Sequence, residues 1–158
     1  MGFQISGLKR EQFRDLLAFD EDALAAQGAK RLVADTQPGF PCRVSLIDAA
    51  PGERVILLTF KHQPTCSPYH GAGPIFVREN AKDTSLEPNH VPDLLRTRLL
   101  SVRAYDANDM MVEADVVDGS DLENLLHRFL DNIAVSYVHV HFARPGCFAC
   151  RVDRVPLG

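Results

Sequence analysis

No apolar run in this chain approaches the roughly 20 residues that a helical bilayer span requires, so a helical membrane protein is excluded at the outset. A basic surplus is missing too: 17 Lys and Arg stand against 21 Asp and Glu, a net charge of -4, which argues against a protein that works by neutralising phosphates along nucleic acid. The N-terminal residues lack a cationic start, an apolar core and a small-residue cleavage site, so a cytoplasmic protein is expected. Its four cysteines are accordingly expected to be reduced thiols. Gly71-Ala72-Gly73-Pro74 lacks the Lys and the strand-loop-helix context of a phosphate-binding loop, and reads as turn punctuation. Asp48, Asp106 and Asp153 are available carboxylates, but no spacing marks two of them as a catalytic pair. No internal repeat is present, and no motif implies a cofactor.

What is there fits one α+β domain. A chain of 158 residues can bury about two-thirds of its unfolded surface in a single core. Phe13, Leu16 and Leu17 recur at helical spacing over 9–19, and Asp20 is placed to cap a second helix that Gly28 can end in a left-handed conformation. Ser120-Asp121-Leu122-Glu123 has the form of a capping box, and Leu122, Leu125, Leu126, Phe129 and Leu130 follow on one helical face. Strands are expected at 3–6, 42–48, 55–60, 75–78, 99–106, 110–117, 135–142 and 147–155. Residues 93–98 read as a short helical turn. With strands in runs and no regular βαβ alternation, the pattern predicts a mostly antiparallel sheet of six to seven strands, with two to three helices on one face. The segment 61–74, with three Pro, two Gly and two His, reads as a long loop.

Alternation along the strands selects one sheet face. Val138, Val140 and Phe142 oppose Tyr137, His139 and His141. Leu100, Val102 and Ala104 oppose Ser101, Arg103 and Tyr105, and Val44 and Leu46 oppose Arg43 and Ser45. An outer face wetted by solvent explains such a pattern as well as a site does. A site would be roofed by the 61–74 loop and would bind a small anionic molecule. In it Arg43, Arg78 and Arg103 hold the anion, and His62, Tyr69, Tyr105, His139 and His141 orient the ligand or move protons.

Three alternatives stay open. His139, His141, Cys147 and Cys150 could hold a metal ion, with help from His62, Cys66 or His70, although residues i and i+3 of an extended strand point to opposite faces. Within the last hairpin, a loop over 143–146 pairs Phe142 with Cys147 and sets His139 across from Cys150, whereas a three-residue loop sets His141 across from Cys147. Cys147 near His141, with Arg151 to lower the thiol's pKa, is also a candidate nucleophile and base pair. Alternatively, the polar face or a sheet edge forms a homodimer or other partner contact.

Six blocks in order carry a resemblance: Pro38 to Arg43, His62-Gln63-Pro64, Ser67-Pro68-Tyr69, Gly73 to Arg78, Arg103 to Asp106, and His139-Val140-His141 through Gly146-Cys147-Phe148. Together they resemble the bacterial domain of unknown function family DUF1203, over most of the chain after residue 29. The resemblance implies a bacterial, single-domain protein without export signals, and brings with it no activity, substrate or cofactor. Its blocks fall on the same loop, strand and hairpin that alternation selects.

Overall fold

The structure, a computed structural model, describes residues 2–156. Eight strands form two sheets, and every pairing between named strands is antiparallel. The five-stranded sheet runs in the order β1 (Gly2–Ser6), β8 (Phe148–Val155), β7 (Tyr137–Phe142), β5 (Leu99–Tyr105), β6 (Met111–Asp118). The three-stranded sheet is β2 (Lys30–Val33), β3 (Arg54–Gln63) and β4 (Gly71–Arg78). The α+β class and antiparallel pairing expected from the sequence are thus present, with the strands divided between two sheets. Among the described residues no helix is long and apolar enough to cross a membrane.

Each sheet has its own helical cover. The longest helix, α4 (Leu122–Asp131), buries the five apolar residues of its periodic face against Phe3, Ile5, Val102, Val138, Val140 and Val152. The short helix α3 (Asp93–Arg96) adds Leu94 and Leu95 to that core. On the smaller sheet, Ile56, Leu58, Ile75 and Val77 pack with Phe13, Leu17 and Leu24 from a 3-10 turn (Arg10–Phe13), α1 (Arg14–Ala18) and α2 (Glu21–Ala26). Helices therefore lie on both sheets rather than on one face of one sheet. Asp20 caps α2 by accepting from the Ala23 backbone N–H at 2.8 Å, and Gly28 ends it with φ +70°, both as the sequence predicts. Ser120 makes no capping box, because 119–121 wind into a 3-10 turn and no side chain caps α4.

Three expectations fail here. Residues 42–48 are a tight loop instead of a strand, closed by an isolated bridge between Pro41 and Asp48 and turned by Leu46 at φ +54°. The strand beside β3 is instead β2, over residues where the sequence pattern predicts no strand, and it pairs with β3 at Leu32–Val55. The long loop shrinks to 64–70, because β3 extends through His62 and Gln63, and β4 begins at Gly71.

Candidate functional site

Pairing places the predicted residues in rows. Across β5 and β7, Arg103 faces His139, Ser101 faces His141 and Tyr105 faces Tyr137. Side chains directly opposite on antiparallel strands share a face, so the alternation holds for all six. That face is covered rather than wetted: His139 and His141 are 3% and 1% exposed, and Tyr105 and Tyr137 are buried. The cover comes from the far end of β3. Phe60 packs on Phe148, the His62 ring stacks on Phe148 at 5.5 Å and 12°, and the His62 ring centroid lies 5.0 Å from that of His141 and 6.3 Å from that of His139.

Three imidazoles thus meet beside one guanidinium. His141 Nδ1 lies 3.0 Å from the Gly146 carbonyl, which can only accept, so Nδ1 carries the proton and Nε2 keeps its lone pair. Arg103 Nη1, at 3.5 Å from Nε2, demands the same tautomer. Burial is the main reason that the His141 pKa falls to about 4, with Arg103 and His62 adding to it against the opposing Gly146 bond. Burial likewise pushes His139 down to about 3, helped by the charges of His141 and His62, and lowers His62, where Arg103 contributes. The ring atoms Nδ1 of His62 and His139 are buried without a hydrogen-bond partner. All three rings are neutral near pH 7. Arg103, half-buried, makes long contacts of 3.3 Å to Ser101 Oγ and 3.5 Å to His141, acts as a hydrogen-bond donor toward the Tyr105 hydroxyl, and forms no ion pair among the described residues.

The rim is tied down by the 64–70 loop. Ser67 Oγ donates to the Asp109 carbonyl at 2.7 Å in the β5–β6 turn, and the Tyr69 ring meets Tyr105 edge-on at 6.0 Å. Tyr69 is 41% exposed. Below it, the buried Gln63 amide donates to the Tyr137 hydroxyl at 2.8 Å, and that hydroxyl donates to Asp109 Oδ1 at 2.6 Å. Sequence reasoning missed Gln63, Asp109 and Phe148. Alternation on β3 points to His62, which continues the even-numbered set of Ile56, Leu58 and Phe60, but gives no signal for Gln63, whose burial follows the register shift between Phe60 and Gln63.

Other predicted members lie elsewhere. Arg78 pairs with Glu53 through Nε at 3.0 Å and reaches Ser45 Oγ at 3.2 Å on the smaller sheet, and so does not join the Arg103 cluster. Arg43 leaves the face as well, because the 42–48 loop aims it behind Phe148: Nε donates to the Phe148 carbonyl at 2.8 Å and Nη2 to Cys147 Sγ at 2.9 Å. The metal quartet is split. Phe142 N–H does bond the Cys147 carbonyl, at 2.9 Å, but a bulge at Ala149 shifts the ladder, so Val140 faces Cys150 and His139 faces Arg151. Cys150 consequently lies in the α4 core, where burial pushes its thiol up to about 12. Among the described residues no three of His, Cys, Asp and Glu are grouped to hold a metal ion. Cys66 and His70 stay on the exposed loop, where His70 Nδ1 contacts the Ser67 carbonyl at 3.1 Å. The face expected to meet a partner is covered, and the edge strands are β1 and β6 in the larger sheet and β2 and β4 in the smaller, with Val112 and Val116 exposed on β6 and Val33 on β2.

Residues 39–154 match the model of a family described as protein of unknown function (DUF1203). No curated protein and no solved structure matches the chain.

Proposed function

The chain belongs to the DUF1203 family, and we propose that it is a single domain that binds a small molecule bearing a carboxylate or phosphate beside Arg103, His62 and His141, at the rim formed by Tyr69 and Tyr105. The observation that carries this reading is the Arg103 guanidinium, set among neutral imidazoles with no carboxylate in ion-pair contact among the described residues. A cation held this way in a partly desolvated site favours an anion with a planar fork of oxygens. Burial raises the Tyr105 pKa, so its hydroxyl stays protonated and can donate to the same anion. His141 Nε2, an acceptor by tautomer, suits a ligand hydroxyl or N–H next to the anionic group. The neutral rings of His62 and His139 would pack on the ligand's uncharged part, and their unpartnered Nδ1 atoms leave room for a further polar contact.

Thermal unfolding with a panel of anionic metabolites tests this. At least one should raise the Tm of the parent protein and leave that of Arg103→Gln unchanged, since binding stabilises the folded state by mass action only while the site persists. A panel of mono- and dicarboxylates and phosphate esters that leaves the parent Tm unmoved would overturn the reading.

A further inference from the structure

A cavity lies behind the imidazole face and is lined by none of Arg103, His62, His139, His141, Tyr69 and Tyr105. It has a volume of about 490 Å³, within the range of small-molecule sites, and its wall includes Arg43, Arg98, Arg144, Phe142, Asp118 and Cys147. Arg43 is 1% exposed, yet no carboxylate pairs with it among the described residues. Its three nitrogens donate to the Phe148 and Pro41 carbonyls and to Cys147 Sγ, and its Cζ lies 4.9 Å from the centre of the Phe142 ring. A guanidinium keeps its charge when buried, so this charge is answered only by carbonyl dipoles, a π face and a thiol. Arg98 flanks the same ring at 5.1 Å and is paired with Asp48 through bonds of 3.0 and 2.6 Å. Arg144, in the exposed β7–β8 loop, has no ion pair among the described residues. Asp118, exposed, is the carboxylate on the cavity wall itself, beside the Asp48 that already answers Arg98.

Cys147 is half-buried, unlike Cys42 and Cys150, and its sulfur lines this cavity against Arg43. We propose that the cavity is an anion-selective thiol site, in which Cys147 exchanges with small disulfides whose halves carry carboxylates. Cys147 gives its thiol proton to water and its sulfur attacks one sulfur of the disulfide. A bond from Cys147 to that sulfur forms as the old S–S bond breaks, and the departing half leaves as a thiolate that takes up a proton. The incoming disulfide is the oxidant, and the released thiol is the reduced product. Arg43 steadies the charge on the attacking sulfur through its 2.9 Å hydrogen bond, and Arg144 meets the incoming carboxylate.

The exposed Cys66 on the 64–70 loop serves as an internal reference. The full-length reduced protein is treated separately with dithiodipropionic acid, an anionic disulfide, and with cystamine, a cationic one, and the modified cysteines are counted by peptide mass spectrometry. The Cys147 to Cys66 ratio should be about tenfold higher with the anionic reagent, the scale on which a local cationic field enriches an anion. It should fall several-fold in Arg144→Gln, with Cys66 labelling unchanged, and persist in Arg103→Gln, which alters only the other site. Equal ratios for the two reagents, a Cys147 left unmodified while Cys66 reacts, or a ratio indifferent to Arg144→Gln would each overturn the proposal.

Discussion

At the scale of single residues, the buried imidazoles make stability depend on pH in a defined window. His139 and His141 hold folded pKa values of about 3 and 4 against an ordinary 6.5. The unfolded chain therefore takes up protons below pH 6.5 that the folded chain refuses, and stability is fully present above that pH and lost as pH falls toward the folded values. Each histidine contributes a slope of up to about 1.4 kcal/mol per pH unit. Carboxylates such as Glu53, which Arg78 holds below its ordinary 4.5, begin to lose their own contribution only further down. Urea unfolding between pH 6.5 and 4.5 isolates the histidines, and because the lowered His62 adds to the slope of His139 and His141, the parent slope should drop by about a third to a half in His139→Phe. At pH 7 that variant should keep its stability to within about 1 kcal/mol, because the Nδ1 it removes has no partner to lose. A parent whose unfolding free energy stays flat across that interval would contradict the burial of neutral rings. Gly146 shows what sequence cannot supply at this scale: its carbonyl fixes the His141 tautomer, and no residue type announces where a backbone oxygen will point.

Between neighbouring elements, the closest approach is at Gly119. A Cβ there would sit 1.7 Å from the Leu95 carbonyl oxygen, where α3 meets the 3-10 turn that leads into α4. Backbone blocks backbone at that point, so no rotamer change gives relief. Gly119→Ala should cost about 3 kcal/mol or more, at or beyond the usual range for overpacking, and calorimetry should record a correspondingly lower Tm. A variant as stable as the parent would mean that the two turns are not seated as described. Elements with a clean period were legible in the sequence: the five apolar residues of α4 and the opposed sets on β5 and β7 emerge where the pattern puts them. The 42–48 segment shows why the rule can mislead. Cys42 and Val44 are buried in the core of the smaller sheet and Leu46 in that of the larger, so the period-two spacing of apolar residues belongs to a loop wedged between two cores, where Arg43 is buried as well. Residues 30–33 failed in the opposite way, since Lys30, Arg31 and Val33 carry no alternation that favours a strand; pairing with β3 creates one. The bulge at Ala149 decided the fate of Cys150, and a single inserted residue leaves no mark in composition.

Across the whole molecule, the proposed site depends on how one sheet's end closes over the other's face. The sequence indicated the polar face but not its lid, because nothing in the strand pattern says that a second sheet exists to cover it. Phe60 and His62 supply the apolar part of that closure through Phe148, and the Gln63–Tyr137–Asp109 chain supplies the polar part. The Tyr137 hydroxyl is its hinge, accepting from one sheet and donating to the turn of the other; burial and the Asp109 carboxylate raise its pKa and keep the phenol protonated. Tyr137→Phe deletes both bonds and leaves a buried amide, Gln63 at 3% exposure, without its partner. The expected cost is about 1–3 kcal/mol in denaturant unfolding. Amide exchange should quicken at residues 61–63 and in the 64–70 loop, while α4 and β7 keep their protection, because the apolar contacts of the two cores are untouched. Uniform acceleration across both sheets would instead mean that the hydroxyl supports the global fold. Unchanged exchange at 61–63 would mean that Phe60, His62 and Phe148 close the site by themselves.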